Sequence, residues 1–123
     1  MKTTLLVGLG SFIGGAGRYL ISKTIQAQIQ STFPFGTFTV NIVGCFLIGA
    51  VVGWSVKSNL DSSWQLFLTA GILGGFTTFS AFSLESVRLI QAGNIVAALL
   101  YIAISLLMGL LSTAIGFGII KLI

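Results

Sequence analysis

The sequence predicts an all-α integral membrane protein with four transmembrane helices. Of its 123 residues, 55% are hydrophobic and only 7% are charged, whereas a soluble domain carries about 25% charged residues. The chain also divides into four apolar runs, each near or above the roughly 20 residues with which a helix crosses a bilayer, and isolated charges separate them. Because backbone groups in lipid must bond within the protein, helices are the expected form of these runs.

The residue inventory excludes several classes of protein. The chain has no histidine and one cysteine, Cys45. The commonest general base is therefore missing, and neither an intrachain disulfide nor a thiolate metal cage can form. We expect no enzymatic activity.

The net charge is +4, but the cations stand singly at the borders of the apolar runs: Lys2, Arg18, Lys23, Lys57, Arg88 and Lys121. A nucleic-acid interface needs a contiguous basic footprint, so nucleic acid is not an expected partner. Residues in this pattern are typical of anchors at the membrane surface.

The first two apolar runs predict helices at residues 4–21 and 37–56, within one domain over residues 1–123. A signal peptide is the alternative for the first run, but no A-x-A-like site follows it and Arg18-Tyr19 interrupts it, so we expect a retained helix. A glutamine-rich stretch closed by Pro34 separates the two helices. Glycines four residues apart predict close helix contacts and occur as Gly10 and Gly14, Gly49 and Gly53, and Gly71 and Gly75.

The third run predicts a helix at residues 64–90 with an interruption inside the membrane. Gly74-Gly75 are followed by Thr77-Thr78; glycine disfavours a helix by about 1 kcal/mol relative to alanine, and threonine hydroxyls can satisfy the backbone groups that a break releases. Beyond this point two sets of side chains recur every three residues. They are Phe76, Phe79 and Phe82 on one face, and Thr77, Ser80 and Ser83 on the neighbouring face.

The second and fourth helices carry further neutral polar groups. Asn41 stands alone in the apolar second helix, and an amide in lipid must find hydrogen-bond partners or water. In the fourth helix, at residues 95–120, the spacing of Tyr101, Ser105 and Ser112 places them on one face, with Thr113 beside it. Two interpretations remain open for all of these groups: hydrogen bonds between helices, and the polar wall of a pore.

The charge distribution predicts dual topology. With four helices, Lys2, Lys57 and Lys121 lie on one side of the membrane, and the other side also has three cations, namely Arg18, Lys23 and Arg88. Since orientation follows the asymmetry of Lys and Arg between the two sides, such a chain should insert both ways up. An antiparallel dimer is the natural consequence.

Carboxylates are scarce, and their scarcity separates two kinds of transport protein. Asp61 lies in the second loop, and Glu85 lies toward the end of the third run, where it either pairs with Arg88 or has a functional role. Arg18 is likewise either an anchor or an attractor of anions. A proton-coupled pump needs a buried titratable carboxylate. The lack of one in mid-helix disfavours a small four-helix drug/proton antiporter and favours a pore for a small ion.

Three segments carry a resemblance to a known family: GGAGRY at residues 14–19, FGTFTVNIVG at 35–44 and GGFTTFSAFSLE at 74–85. With them in this order, the chain resembles the Fluc (CrcB-type) fluoride channel family over essentially its whole length. The resemblance implies antiparallel homodimers in the bacterial plasma membrane, with two parallel pores for passive, electrogenic fluoride efflux. The resemblance agrees with the inference of a pore for a small ion, because positive ring edges and neutral donors can replace the water around a small anion without trapping it.

The resemblance also implies roles for individual residues. The fluoride pore would be lined by Asn41, Phe79 and Phe82, by Ser80, Ser83 and Thr37, and by Ser105, Ser112 and Thr113 of the fourth helix. Arg18 would lie at an aqueous vestibule. A structural Na⁺ at the dimer centre would bind the backbone carbonyls of Gly74 and Thr77.

Two other functions remain as alternatives. A small dual-topology multidrug/proton transporter would show pH-dependent exchange that requires Glu85. A structural membrane subunit would respond to substitutions of Asn41, Phe79 and Phe82 only through packing.

Overall fold

The computed structural model describes all 123 residues and is helical throughout, without strands. Its elements are α1 (Lys2–Ile29), α2 (Phe35–Ser58), α3 (Ser62–Leu66), a π-helical segment (Phe67–Leu73), α4 (Gly74–Phe76), α5 (Phe79–Gln91) and α6 (Ile95–Leu122). The elements from α3 to α5 form one 30-residue span, Ser62–Gln91. Together with α1, α2 and α6 it gives four helical spans that are long and apolar enough to cross a membrane, as the sequence predicted.

Left-handed residues end the first two helices. Gln30 after α1 has φ 47° and Asn59 after α2 has φ 49°, while Gly93 before α6 has φ 79°. Helix α1 thus continues eight residues beyond Ile21 and includes the first part of the glutamine-rich stretch. Asp61 begins the third span by accepting a 3.0 Å hydrogen bond from the Ser63 N–H, a common N-cap arrangement.

Glycines allow the helix backbones to approach one another closely. Helix α1 packs on the π-helical segment, and a Cβ at Gly14 would collide with the Ile72 carbonyl. Helix α2 packs on α6, where a Cβ at Gly49 would collide with the Thr113 carbonyl and one at Gly116 with that of Phe46. The close contacts predicted from paired glycines are therefore confirmed.

The third span contains two irregularities. Its π-helical segment, Phe67–Leu73, has no counterpart in the sequence-based prediction. The helix then passes through Gly74 and Gly75 and stops at the two threonines, since Thr77 (φ −91°, ψ 155°) and Thr78 (φ −150°, ψ 117°) are extended. Gly75 has a packing role, because a side chain there would press on the Ser11 carbonyl of α1.

The core is small and the surface is apolar. Only 18 of 123 residues are buried, and one cluster of four buried apolar residues stands between α5 and α6: Phe82, Leu89, Ala98 and Tyr101. Most large apolar side chains of α6 are exposed. A surface of this kind requires lipid or another protein as its surroundings.

Candidate functional site

The side chain of Asn41 holds the interruption of the third span. Its Nδ2 donates to the Thr78 carbonyl (3.1 Å), and its Oδ1 accepts from the Thr78 N–H (2.8 Å). The amide therefore pairs with an extended residue as a neighbouring strand would. Of the two interpretations left open for Asn41, the interhelical hydrogen bond is present, and one N–H of Nδ2 remains free for another acceptor.

The two threonines satisfy much of the backbone around the interruption. The Thr77 hydroxyl donates to the Leu73 carbonyl (3.0 Å), and the Thr78 hydroxyl accepts from the Ala81 N–H (3.2 Å) as the N-cap of α5. The Thr78 and Ala81 N–H groups are therefore bound to side chains. As a result, the carbonyls of Gly74 and Thr77 lose the donors that a continuous helix would give them.

A cleft of about 220 Å³ lies beside the interruption. Its walls are Asn41, Ile42, Cys45, Thr77, Thr78, Phe79, Phe82, Ser105, Leu106 and Gly109. Four of the predicted pore residues line this cleft, namely Asn41, Phe79, Phe82 and Ser105. No charged side chain lines it. We call it the phenylalanine cleft.

Aromatic rings and one hydroxyl define the chemistry of the phenylalanine cleft. The Phe79 and Phe82 rings are 5.5 Å apart at 45°; Phe82 is buried, whereas Phe79 is 75% exposed. The Ser105 hydroxyl is buried without a hydrogen-bond partner. A buried polar atom without a partner is unusual in proteins. The cleft thus offers a free donor next to positive ring edges.

A second, more polar cleft of about 320 Å³ is lined by charged side chains of both signs. Its walls are Arg18, Tyr19, Ser22, Lys23, Gln26, Thr32, Pro34, Thr37, Ala81 and Glu85. Arg18 is half-buried, and its Nε donates to the Gly75 carbonyl (3.3 Å) near the interruption. We call this site the arginine cleft; two cations, Arg18 and Lys23, and one carboxylate, Glu85, line it.

Glu85 joins three helices. Its two carboxylate oxygens accept from the Thr37 hydroxyl of α2 (2.7 Å) and from the Tyr101 hydroxyl of α6 (2.9 Å). Arg88 is exposed on the same helix, so the carboxylate faces the protein interior and is not held by its helical neighbour. The sequence showed Glu85 as the single carboxylate of the spans, but the contact with Tyr101 requires the packing of α5 on α6.

The remaining predicted pore residues do not line the phenylalanine cleft. Thr37 lines the arginine cleft, and Ser80 is exposed with its hydroxyl 3.3 Å from that of Thr78. Ser83 and Ser112 are half-buried and line neither cleft. The Thr113 hydroxyl donates to the Gly109 carbonyl of its own helix (3.1 Å), which favours a local role for it.

The predicted Na⁺ would be bound by backbone oxygen atoms. No group of three or more His, Cys, Asp or Glu residues could hold a metal ion. The freed carbonyls of Gly74 and Thr77 are hard oxygen ligands of the kind that Na⁺ accepts, and they lie three residues apart along the chain. These residues fit the predicted Na⁺ by ligand chemistry.

Four long apolar helices, one of them interrupted next to a cleft with a neutral polar lining, define a polytopic membrane protein of the channel or transporter class. Residues 5–117 match the family model described as CrcB-like protein, Camphor Resistance (CrcB). The chain belongs to this family.

Curated relatives agree over nearly the whole chain. The proteins of Flavobacterium psychrophilum and Azobacteroides pseudotrichonymphae are each 44% identical to it, over 98% of both chains in the first case and over 95% of this chain and 94% of the other in the second. That of Granulibacter bethesdensis is 49% identical over 82% of this chain and 80% of its own. All three relatives are named fluoride-specific ion channel FluC. The chain is therefore a multi-pass bacterial membrane protein.

Proposed function

We propose that this chain forms a fluoride-selective channel for passive, electrogenic efflux across the bacterial plasma membrane. The observation that carries the proposal is the phenylalanine cleft, in which Asn41, the ring of Phe82 and the free hydroxyl of Ser105 meet without a charged side chain. Fluoride is small and strongly hydrated, so close donors must replace its water. A fixed positive charge in the cleft would hold the ion and slow its exit. The names of the relatives supply the identity of the ion.

A flux assay tests the proposal. The purified chain is placed in liposomes loaded with fluoride or chloride, and release is followed by electrode for wild type and for Phe82→Ile. We expect rapid fluoride efflux that depends on a potassium shunt, little chloride efflux, and a strong loss with Phe82→Ile. Phe12→Ile is the matched control, because Phe12 is 77% exposed on α1. Fluoride retained by folded, inserted wild type would refute the channel.

We further propose that two copies associate antiparallel and complete the pore. Phe79 is 75% exposed at the edge of the phenylalanine cleft, so in one chain only part of the cleft is enclosed. The equal number of cations on the two sides supports insertion in both orientations. Reporters fused to the C-terminus test this: signals from both sides of the membrane are expected, and a signal from one side alone would contradict the antiparallel arrangement.

A Na⁺ ion bound by the Gly74 and Thr77 carbonyls of both copies is the corresponding proposal for the interruption. This proposal includes a position of the interruption within the membrane, where the freed carbonyls would need a partner. We expect removal of Na⁺ to lower the thermal stability of the dimer and the fluoride flux, and its return to restore both. Full stability and flux after replacement of all Na⁺ by N-methylglucamine would exclude a required ion.

A proton-coupled transporter is the second candidate, because Glu85 is a half-buried carboxylate held between two helices. Such a protein would exchange a cationic drug for protons, and Glu85→Gln would abolish the exchange. In the channel, fluoride flux instead requires no proton gradient. Drug-driven proton release from wild type that Glu85→Gln eliminates would favour the transporter.

A further inference from the structure

Two side chains hold the loop between α1 and α2. The Ser31 hydroxyl accepts a hydrogen bond from the Phe33 N–H (3.1 Å), and Gln26 makes three further hydrogen bonds. Its Nε2 donates to the carbonyls of Ser31 (2.7 Å) and Phe33 (3.2 Å), and its Oε1 accepts from the Gly36 N–H (3.2 Å). Pro34 at the start of α2 has no side-chain cap to offer. Gln26 therefore acts as the cap of α2 from another helix, and it uses both of its N–H donors to shape the loop.

The shaped loop points one aromatic ring at the interior. The Phe33 ring lies 5.3 Å from the Tyr101 ring at 79°, an edge-to-face contact. Tyr101 is fully buried, and its ring is 5.1 Å from that of Phe82. Phe82 in turn forms the buried wall of the phenylalanine cleft. A continuous row of rings thus joins the loop to the proposed pore.

Three contacts, one polar and two aromatic, support the Tyr101 side chain within a buried cluster that also contains other apolar residues of α5 and α6. The Tyr101 hydroxyl donates to Glu85, Phe82 packs on one part of its ring, and Phe33 packs on another. The first two supports belong to the site itself, whereas Phe33 comes from a loop that lines no part of the phenylalanine cleft. Without Phe33 the Tyr101 ring can tilt into the space left behind, and the ring edge of Phe82 loses its fixed direction.

We propose that Phe33 and Gln26 are positioning residues of the channel: Gln26 fixes the loop, Phe33 holds Tyr101, and Tyr101 sets the orientation of the Phe82 ring. This inference rests on the proposed fluoride pathway along Phe82. Neither residue lines the phenylalanine cleft, although Gln26 lines the arginine cleft. The proposed effect of both residues on fluoride passes through ring packing, so for Gln26 it must depend on Phe33.

The first test compares fluoride efflux from liposomes for Phe33→Leu and Gln26→Met. Leucine keeps an apolar side chain without the ring, and methionine keeps the length of glutamine without its hydrogen bonds. We expect each to lower the initial rate by about tenfold, in line with the loss of one aromatic contact. Phe33→Tyr should retain most of the rate, because it restores the ring. Phe12→Leu, on the exposed face of α1, is the matched control and should conduct as wild type.

The two substitutions should also be non-additive. Because Gln26 acts through Phe33, the double variant should conduct about as the slower single variant. Rates that fall by the product of the two single effects would show independent roles and overturn the proposed order of action.

A second test observes Tyr101 directly. The chain has two tyrosines, Tyr19 and Tyr101, so labelling with 3-fluorotyrosine gives two ¹⁹F resonances, which Tyr19→Phe assigns. In chloride buffer we expect Phe33→Leu and Gln26→Met to shift or broaden the Tyr101 resonance. Phe33→Tyr adds a third resonance, which is absent from the wild-type spectrum, and should leave that of Tyr101 near its wild-type position. The resonance of Tyr19, which is 58% exposed, should not move in Phe33→Leu.

The two tests separate the inference from the function on which it rests. If wild type conducts no fluoride, the channel fails, and the ¹⁹F spectra still decide whether Phe33 positions Tyr101. If wild type conducts and folded Phe33→Leu leaves both the rate and the Tyr101 resonance unchanged, the positioning role is overturned. A rate that falls with an unchanged resonance also overturns it, because the effect would then bypass Tyr101.

Discussion

Two regions of this molecule differ in how their helices contact one another. Where α2 meets α6 and where α1 meets the π-helical segment, glycines bring backbones into contact, as at Gly14 and Gly49. Where α5 meets α2 and α6, side chains fill the gap: the small apolar cluster described above and, beside it, the hydrogen-bonding groups of Asn41 and Glu85. The first region has no room for a side chain, whereas the second depends on the chemistry of a few side chains.

The glycine contacts stabilise the helix packing, whereas the polar contacts supply the groups that a pore needs. Close backbone contacts gain stability from dispersion and resist any change of volume. The polar region contains an extended pair of residues, a cleft and a hydroxyl without a partner. A pore needs such groups, which an apolar contact cannot supply. We therefore expect substitutions of the packing glycines to lower mainly stability, and substitutions in the polar region to lower fluoride flux as well.

The largest effect is expected at Gly14. A valine there would collide with the backbone of Ile72, which cannot move without separating α1 from the third span. Overpacking typically costs about 1–3 kcal/mol, and a contact with backbone belongs at the upper end or above it. Gly14→Val should yield little folded protein in detergent. Gly8→Val is the control on the same helix, since a Cβ at Gly8 meets nothing within 4 Å. Equal melting temperatures for the two variants would contradict the glycine contact.

The next largest effect is expected at Asn41. Asn41→Ala leaves the N–H and carbonyl of Thr78 without partners. Each unsatisfied buried group costs about 1–3 kcal/mol. Because these two groups are only partly buried, we expect a loss in the lower part of the summed range, about 2–4 kcal/mol of unfolding free energy, together with a loss of flux. Thermal unfolding in detergent and fluoride efflux measure the two. Wild-type stability with lost flux would mean that Asn41 acts on the ion alone and does not hold the interruption.

The apolar runs between isolated charges were sufficient to predict the four spans, and the paired glycines predicted close helix contacts, because both patterns follow from general needs of a helix in lipid. The polar residues were also visible, since Asn41 and Glu85 stand out among apolar neighbours. Their partners were not visible. Asn41 bonds a residue 37 positions away and Glu85 one 48 positions away, so the pairs depend on helix packing that no local pattern contains.

Helical periodicity also did not show which residues of one helix face would line the phenylalanine cleft. Ser105 and Ser112 share a face of α6 by spacing, yet only Ser105 lines the phenylalanine cleft. Ser80 and Ser83 recur with Phe79 and Phe82 but lie outside it. The π-helical segment was unpredicted for a related reason. It carries no local signature in the sequence and coincides with the close approach of α1 to Phe67 and Ile72.

A smaller effect on stability is expected from Tyr101→Phe. This substitution removes one hydrogen bond to Glu85 and keeps the ring between Phe33 and Phe82. Glu85 retains the bond from Thr37. We expect a loss of about 1.5–3 kcal/mol, the usual range for a hydrogen bond to a charged group. Thr37→Val combined with Tyr101→Phe should cost more than the sum of the single changes, because the carboxylate then has no donor. Additive melting shifts would show that water replaces these donors.

The smallest effect on stability, with a clear effect on flux, is expected at Ser105. Its hydroxyl is buried without a partner, so Ser105→Ala removes an unsatisfied group and should leave the unfolding free energy unchanged or slightly raised. If the hydroxyl donates to fluoride in the phenylalanine cleft, the efflux rate should nevertheless fall by about tenfold, the value of one such hydrogen bond. Ser112→Ala is the matched control on the same face of α6 and should change neither quantity, because Ser112 lines neither cleft. Stability and flux that fall together in Ser105→Ala would place Ser105 among the packing residues and remove it from the pathway.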